Sequence, residues 1–181
     1  CDLAAIQVQD RVFLREELKD PIYRERRQSA FILAVNCMRP DGTCFCASMG
    51  TGPKASGGFD LCLTELEDVF LVEIGSETGR MALGNLDLQP TSAFWLRAAL
   101  RGLEEAEQKM GRVVPNPDQL PNDLLTNLEA EHWSNVARRC MSCSSCTQVC
   151  PTCFCWDVKD QSDLSGQKAT RERVWDSCFN P

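Results

Sequence analysis

The feature that most constrains this chain is a run of cysteines at Cys140-x2-Cys143-x2-Cys146-x3-Cys150, followed at once by Pro151. Such short spacings let consecutive thiolates close around one inorganic cube, and the proline stops the loop from running on as helix. Zinc also accepts thiolates, but structural zinc sites pair two short knuckles across a longer spacer. Three evenly spaced cysteines with a fourth before proline are instead the ligand pattern of [4Fe–4S] clusters. A zinc- or thiolate-stapled interaction module without a redox role is the alternative.

The same spacing creates a shortfall. Where two such clusters share a domain, the fourth cysteine of a run ligates the other cluster. Only one run is present here. Cys140, Cys143 and Cys146 therefore need a remote thiolate from Cys153, Cys155, Cys178 or a partner run beyond Pro181, and Cys150 needs a cluster elsewhere. The chain opens on Cys1 rather than methionine and stops at Asn180-Pro181 without a terminating element. It reads as a fragment, and the missing run is expected downstream.

Twelve cysteines in 181 residues also raise the possibility of a disulfide scaffold. The chain is large for such a scaffold, shows no export signal, and clusters its cysteines, which strains bridges along one loop. A reducing cytoplasm with metal-bound thiolates is the better account. A thioredoxin-type enzyme is set aside for want of Cys-x-x-Cys in a βαβ pattern. The net charge of −7 gives no electrostatic reason to bind nucleic acid or anionic lipid. The longest aliphatic run, residues 31–35, is far too short to span a bilayer.

A second constellation is Cys37-x6-Cys44-x-Cys46, three thiols around a Pro40-Asp41-Gly42 turn just after a strand. Cys1 can fold back as a fourth ligand for another [4Fe–4S] cluster. The competing reading is reduced structural cysteine, a small buried hydrophobe. Cys62, inside an apolar strand, is expected to be core.

Apolar spacing predicts helices over 2–18, from Ile22 to Gln28 after an Asp20-Pro21 start, from Thr91 or Ser92 to Met110 with Gly111 as cap, and from Asn122 to the cysteine run. A buried strand is expected at 31–35, and an antiparallel hairpin from residues 59–66 and 69–74. Arg24, Arg26 and Arg27 are expected on a solvated face. Pro115, Pro117 and Pro121 mark a connector. The fold class is therefore α+β. Residues 1–112 form a small, mostly antiparallel sheet with flanking helices and carry the Cys37/Cys44/Cys46 loop. Residues 113–181 form a helical, ferredoxin-like half-domain, with 158–175 as an extended excursion.

Other features are weaker. Gly50-Thr51-Gly52-Pro53-Lys54-Ala55 follows a cysteine loop rather than a strand, and its proline removes an amide that a phosphate would use. It reads as a turn passing close to a cofactor or partner, not a dinucleotide fingerprint. His132 has no nucleophile to serve. Burial under Met141, Phe154 and Trp156 is expected to tune the clusters, and Arg138 and Arg139 either face them or are solvated.

Several segments together resemble a family. They are Asp20-Pro21 to Arg27, Asn36-Cys37, Cys44 to Pro53, Gly58 to Leu61, Gly75-Ser76-Glu77, Cys150 to Cys155 and Trp175 to Cys178. The family comprises the iron–sulfur beta subunits of soluble sulfhydrogenases and NAD(P)-linked nickel–iron hydrogenases, together with the corresponding iron–sulfur component of anaerobic sulfite reductase. The resemblance implies an electron relay between a flavin-containing, NAD(P)H-oxidising subunit and a hydrogenase or sulfite reductase catalytic subunit. It also implies a second ferredoxin-type run downstream, and it favours Cys1, Cys37, Cys44 and Cys46 as ligands of a further cluster.

Overall fold

A computed structural model describes residues 1–177. It divides into two compact units, Cys1–Asp123 and a second beginning at Leu124. Both mix helices with small sheets. Among the described residues no helix is long and apolar enough to cross a membrane.

The first unit opens with α1 (Asp2–Phe13) and α2 (Pro21–Ser29). Asp20 caps α2 by accepting from Tyr23 N at 2.8 Å, and Pro21 supplies the preset first turn. Asp10 on α1 then clasps α2, accepting from Tyr23 Oη at 2.8 Å and from Arg27 Nε at 3.2 Å. Burial, then the Asp10 hydrogen bond, pushes the Tyr23 phenol up to about 12. Arg27 thus leaves the solvated face predicted for it, because a carboxylate one helix away offers a charge-assisted bond.

β1 (Leu33–Val35), β2 (Leu61–Glu65) and β3 (Phe70–Ile74) form one sheet in that order. β2 and β3 pair as the expected antiparallel hairpin, Glu65 opposite Phe70. β1 pairs with β2 in parallel, Leu33 opposite Leu61. The sheet is therefore mixed rather than mostly antiparallel. Parallel neighbours need a long crossover, and residues 36–60, which carry the first cysteine loop, provide it. β1 is an edge strand rather than a buried one: Leu33 and Val35 are exposed.

Asp60 fastens the sheet. Its carboxylate accepts from Ile32 N at 2.7 Å and Ser76 Oγ at 2.5 Å, and these bonds, Ser76 first, hold its acidity below the ordinary carboxylate range. A depressed folded-state value stabilises the fold above the ordinary range, and that stabilisation is lost as pH falls through the folded value. Asp60→Asn is expected to lower the urea midpoint at pH 7 and to flatten the midpoint's fall between pH 7 and pH 3.

Ser76 also caps α3 (Glu77–Ala82), accepting from Gly79 N at 3.0 Å. α4 (Ala93–Gln108) packs against β3 and buries Ala99, Leu103 and Ala106, as its periodicity predicts. Its cap is Lys109 in the right-handed region. Gly111 is not the cap expected of it but lies against the Gly42 backbone, tying the helix end to the cysteine loop. The proline connector lies in this unit too, with Val114 N donating to Ser48 Oγ at 3.0 Å. Among the described residues the apolar interior is small: Ala5, Phe59, Leu61, Cys62, Ala99, Leu103 and Ala106.

The helix predicted from Asn122 is broken into α5 (Leu120–Thr126) and α6 (Glu131–Arg138). Asn122 lies inside α5 rather than capping it, and the Asn127 carbonyl accepts from Trp133 Nε1 at 2.7 Å and from Ala130 N at 3.2 Å. α7 (Ser145–Val149) follows, then β4 (Trp156–Ser162) and β5 (Ala169–Trp175), an antiparallel hairpin in place of a plain excursion. Thr147 is the one buried residue described in the second unit.

Candidate metal centres

The first cysteine group is built from the β1–β2 crossover. Asn36, nearly fully buried, ends β1 and pins both ends of the loop. Its Nδ2 donates to Thr64 Oγ1 at 2.8 Å, and its Oδ1 accepts from Ala55 N at 2.7 Å. Cys37 N then donates to Pro53 O at 3.1 Å, closing the loop on itself. Asp41 turns the chain, accepting from Cys44 N at 3.0 Å, while its own N–H points at Cys44 Sγ at 3.3 Å. Such N–H···S contacts stabilise negative charge on a sulfur ligand.

Cys1, Cys37, Cys44 and Cys46 all border one cavity of about 490 Å³, with Met110 in its wall. Met110 Sδ lies 3.8 Å from Cys46 Sγ. The turn at Gly50-Pro53 passes close to that sulfur: a β-carbon on Gly52 would stand 2.8 Å from Cys46 Sγ. Gly52→Ala is expected to cut iron incorporation at this site about tenfold, the lower range for disturbing a ligand's support. Iron and sulfide per chain, measured anaerobically, check it.

The second group begins just after α6 and runs through α7, which carries Cys146 and is capped by Cys150. Cys140 N donates to Ala137 O at 3.0 Å, so the run begins as α6 ends. Ser142 and Ser144 both adopt left-handed φ angles, 51° and 58°, which bend this short loop sharply. Cys140, Cys143 and Cys146 border one hollow of about 260 Å³, with Asp176 and Ser177 on its far wall. Thr147 Oγ1 and Ser177 Oγ, 2.8 Å apart, hold the end of β5 there. Ser142 N–H contacts Cys140 Sγ at 3.4 Å, and hydrogen bonding from Ser145 lowers the Cys143 thiol.

Cys150 does not border this hollow. It caps α7 in extended conformation, as a residue before proline should, with Sγ 3.5 Å from Thr152 Oγ1. Cys153 and Cys155 are half-buried beyond it, and an indole hydrogen bond from Trp175, first, then bonds from Cys155, lower the Cys153 thiol. Cys178 falls outside the described residues. Cys62 is core as expected, and burial pushes its thiol up.

The expected covering of the clusters is corrected. Met141 is 88% exposed, Phe154 is about half exposed, and Trp156 lies under the Arg173 guanidinium at 5.6 Å. Arg138 and Arg139 turn back onto Asn135. Asn36, Met110 and Ser177 carry no sequence signal as supports; only their position in the fold identifies them. The eleven described cysteines are all free thiols. Among the described residues, no three His, Cys, Asp or Glu converge as one bare ion requires. Tetrahedral zinc draws its sulfurs to within about 4 Å of one another. Two groups of these cysteines border hollows, and their soft thiolates are the donors that an iron–sulfur cluster takes.

Comparison with known proteins agrees with this donor chemistry. Residues 139–181 match the family model of the 4Fe-4S dicluster domain, and the cofactor is the [4Fe–4S] cluster. Over 185 aligned residues the chain is 37% identical to Sulfhydrogenase 2 subunit beta of Pyrococcus furiosus. The match takes in 100% of this chain and 53% of the relative, so the chain spans about half that protein's length. No solved structure matches it.

Proposed function

We propose that this chain is the iron–sulfur part of a multi-subunit oxidoreductase. It relays single electrons between a flavin-containing, NAD(P)H-oxidising subunit and a hydrogenase or sulfur- or sulfite-reducing catalytic subunit, in the cytoplasm. Residues 1–112 serve as the α+β domain with the first cysteine loop, and 113–181 as the first half of a dicluster domain. Cys140, Cys143 and Cys146 hold one [4Fe–4S] cluster, Cys150 contributes to its neighbour, and Cys1, Cys37, Cys44 and Cys46 hold another.

When bound, such clusters change oxidation state by one electron with little rearrangement. What the chain does is hold sulfur ligands and aim N–H groups at them. The Asp41 and Ser142 amides do the aiming. The observation that carries the reading is that three run cysteines border one hollow and the fourth does not. That division suits a pair of clusters exchanging their fourth ligands. Further support comes from the second unit, where no described apolar side chain is buried, as in small domains that fold around metal.

The test is anaerobic expression of the chain with its natural C-terminal extension, followed by iron and sulfide analysis and electron paramagnetic resonance (EPR) of the reduced protein. Iron and sulfide in equal amounts with cluster signals are the expected result. Bound zinc without sulfide, the mark of a stapled interaction module, would overturn the reading.

A further inference from the structure

Between α4 and the β2–β3 hairpin lies a cavity of about 570 Å³, larger than either cysteine hollow. Its volume falls in the range of sites that hold small organic molecules. The electron relay gives it no task. One wall is apolar: Leu96, Leu100 and Leu103 follow one another at helical spacing along α4, and Leu71 of β3 adds to them. Leu96 and Leu100 are about half exposed, so this stripe lacks protein cover.

The polar part of the lining is small and unspent. Thr64 is 7% exposed; its Oγ1 accepts from Asn36, and no described residue accepts its own hydroxyl proton. Lys54 and Glu73 border the same cavity with opposite charges. Among the described residues, neither side chain makes an ion pair or hydrogen bond, with the other or elsewhere. Ala93 stands there in the first turn of α4, where backbone N–H groups have no helical acceptor.

We propose that this cavity binds a small zwitterion with an apolar body, of the amino-acid or dipeptide class. Its carboxylate pairs with Lys54 and accepts from the Thr64 hydroxyl, its ammonium pairs with Glu73, and its side chains lie along the leucines. A plain anion would leave Glu73 opposed, and a plain hydrocarbon would leave all three polar groups unmatched. Lys54 also borders the cavity of Cys1, Cys37, Cys44 and Cys46, so occupancy reaches the relay. A carboxylate beside Lys54 offsets a positive charge that favours reduction, and the first cluster becomes harder to reduce. That link alone rests on the cluster reading.

The test uses the cluster-loaded chain with its C-terminal extension and leucyl-leucine as probe, with binding followed by calorimetry. N-Acetyl-leucyl-leucine lacks the ammonium, and leucyl-leucinamide lacks the carboxylate. Each is expected to bind about fivefold more weakly, the upper worth of one exposed ion pair. Lys54→Met is expected to weaken leucyl-leucine by the same factor and to leave leucyl-leucinamide unchanged. Leu96→Asp is expected to abolish binding with the circular dichroism spectrum unaltered. In redox-poised EPR samples, leucyl-leucine is expected to lower the first cluster's midpoint in the parent and not in Lys54→Met. Absence of heat at millimolar dipeptide would overturn the site, and so would binding that survives Leu96→Asp. Lys54 shielded from acylation before any dipeptide is added would also overturn it, since the protein's own extension would then fill the cavity. Binding with no change in midpoint would overturn the link to the relay. Binding by a preparation free of iron and sulfide would uphold the site and overturn the cluster reading.

Discussion

A Cys143→Ser chain, purified anaerobically, is expected to lose the EPR signal of one [4Fe–4S] cluster outright while the signal from the first unit persists. Serine is the smallest change available, yet it replaces a soft sulfur ligand by a hydroxyl that stays protonated at neutral pH. Cys143 lies in the middle of the run, and with Cys140 and Cys146 it borders a single hollow. Two remaining thiolates cannot close the cage. Iron should fall by about four per chain, the content of one cluster. Cys62→Ser is the control: its sulfur is buried in β2 and far from ligand duty, so stability should suffer and iron content should not.

The second large effect falls on the scaffold. Gly79→Ala is expected to destabilise the first unit by about 3 kcal/mol, the upper part of the range for forced overpacking. A β-carbon there would stand 2.0 Å from the Asp60 carbonyl oxygen. That carbonyl cannot retreat, because it accepts from Gly75 N at 2.9 Å while the Asp60 amide donates to Ile32 O at 2.8 Å. Against a typical total of about 5–15 kcal/mol, the loss is severe. Chemical denaturation should show a lower midpoint with an unchanged slope. Gly42→Ala, whose β-carbon would meet nothing within 4 Å, should behave like the parent.

Much of this was legible in the sequence, for definite reasons. The cysteine run needs only local spacing, and its three leading members do share a hollow. The Asp20 cap, the β2–β3 hairpin and the buried stripe of α4 follow from short-range rules. The hidden parts are those decided at long range. Nothing local tells β1 to lie parallel to β2, since that pairing is set by how residues 36–60 close on themselves through Asn36 and Pro53. Arg27 looks solvated until Asp10 is found beside it. The helix break at Asn127–Ala130 escapes notice because the apolar period continues across it, while a turn bond from Ala130 N and the Trp133 indole both end on the Asn127 carbonyl.

Ordinary α/β proteins fill the crossover between parallel strands with a helix whose apolar stripe seals the sheet. Between β1 and β2 the connection is instead a thiol-lined loop, and the oily interior beside it is slight. Ligand binding to the native state alone stabilises that state by mass action. On the proposed assignment of a cluster to Cys1, Cys37, Cys44 and Cys46, starving cells of iron should therefore loosen the sheet that this crossover joins, leaving the chain more open to proteases.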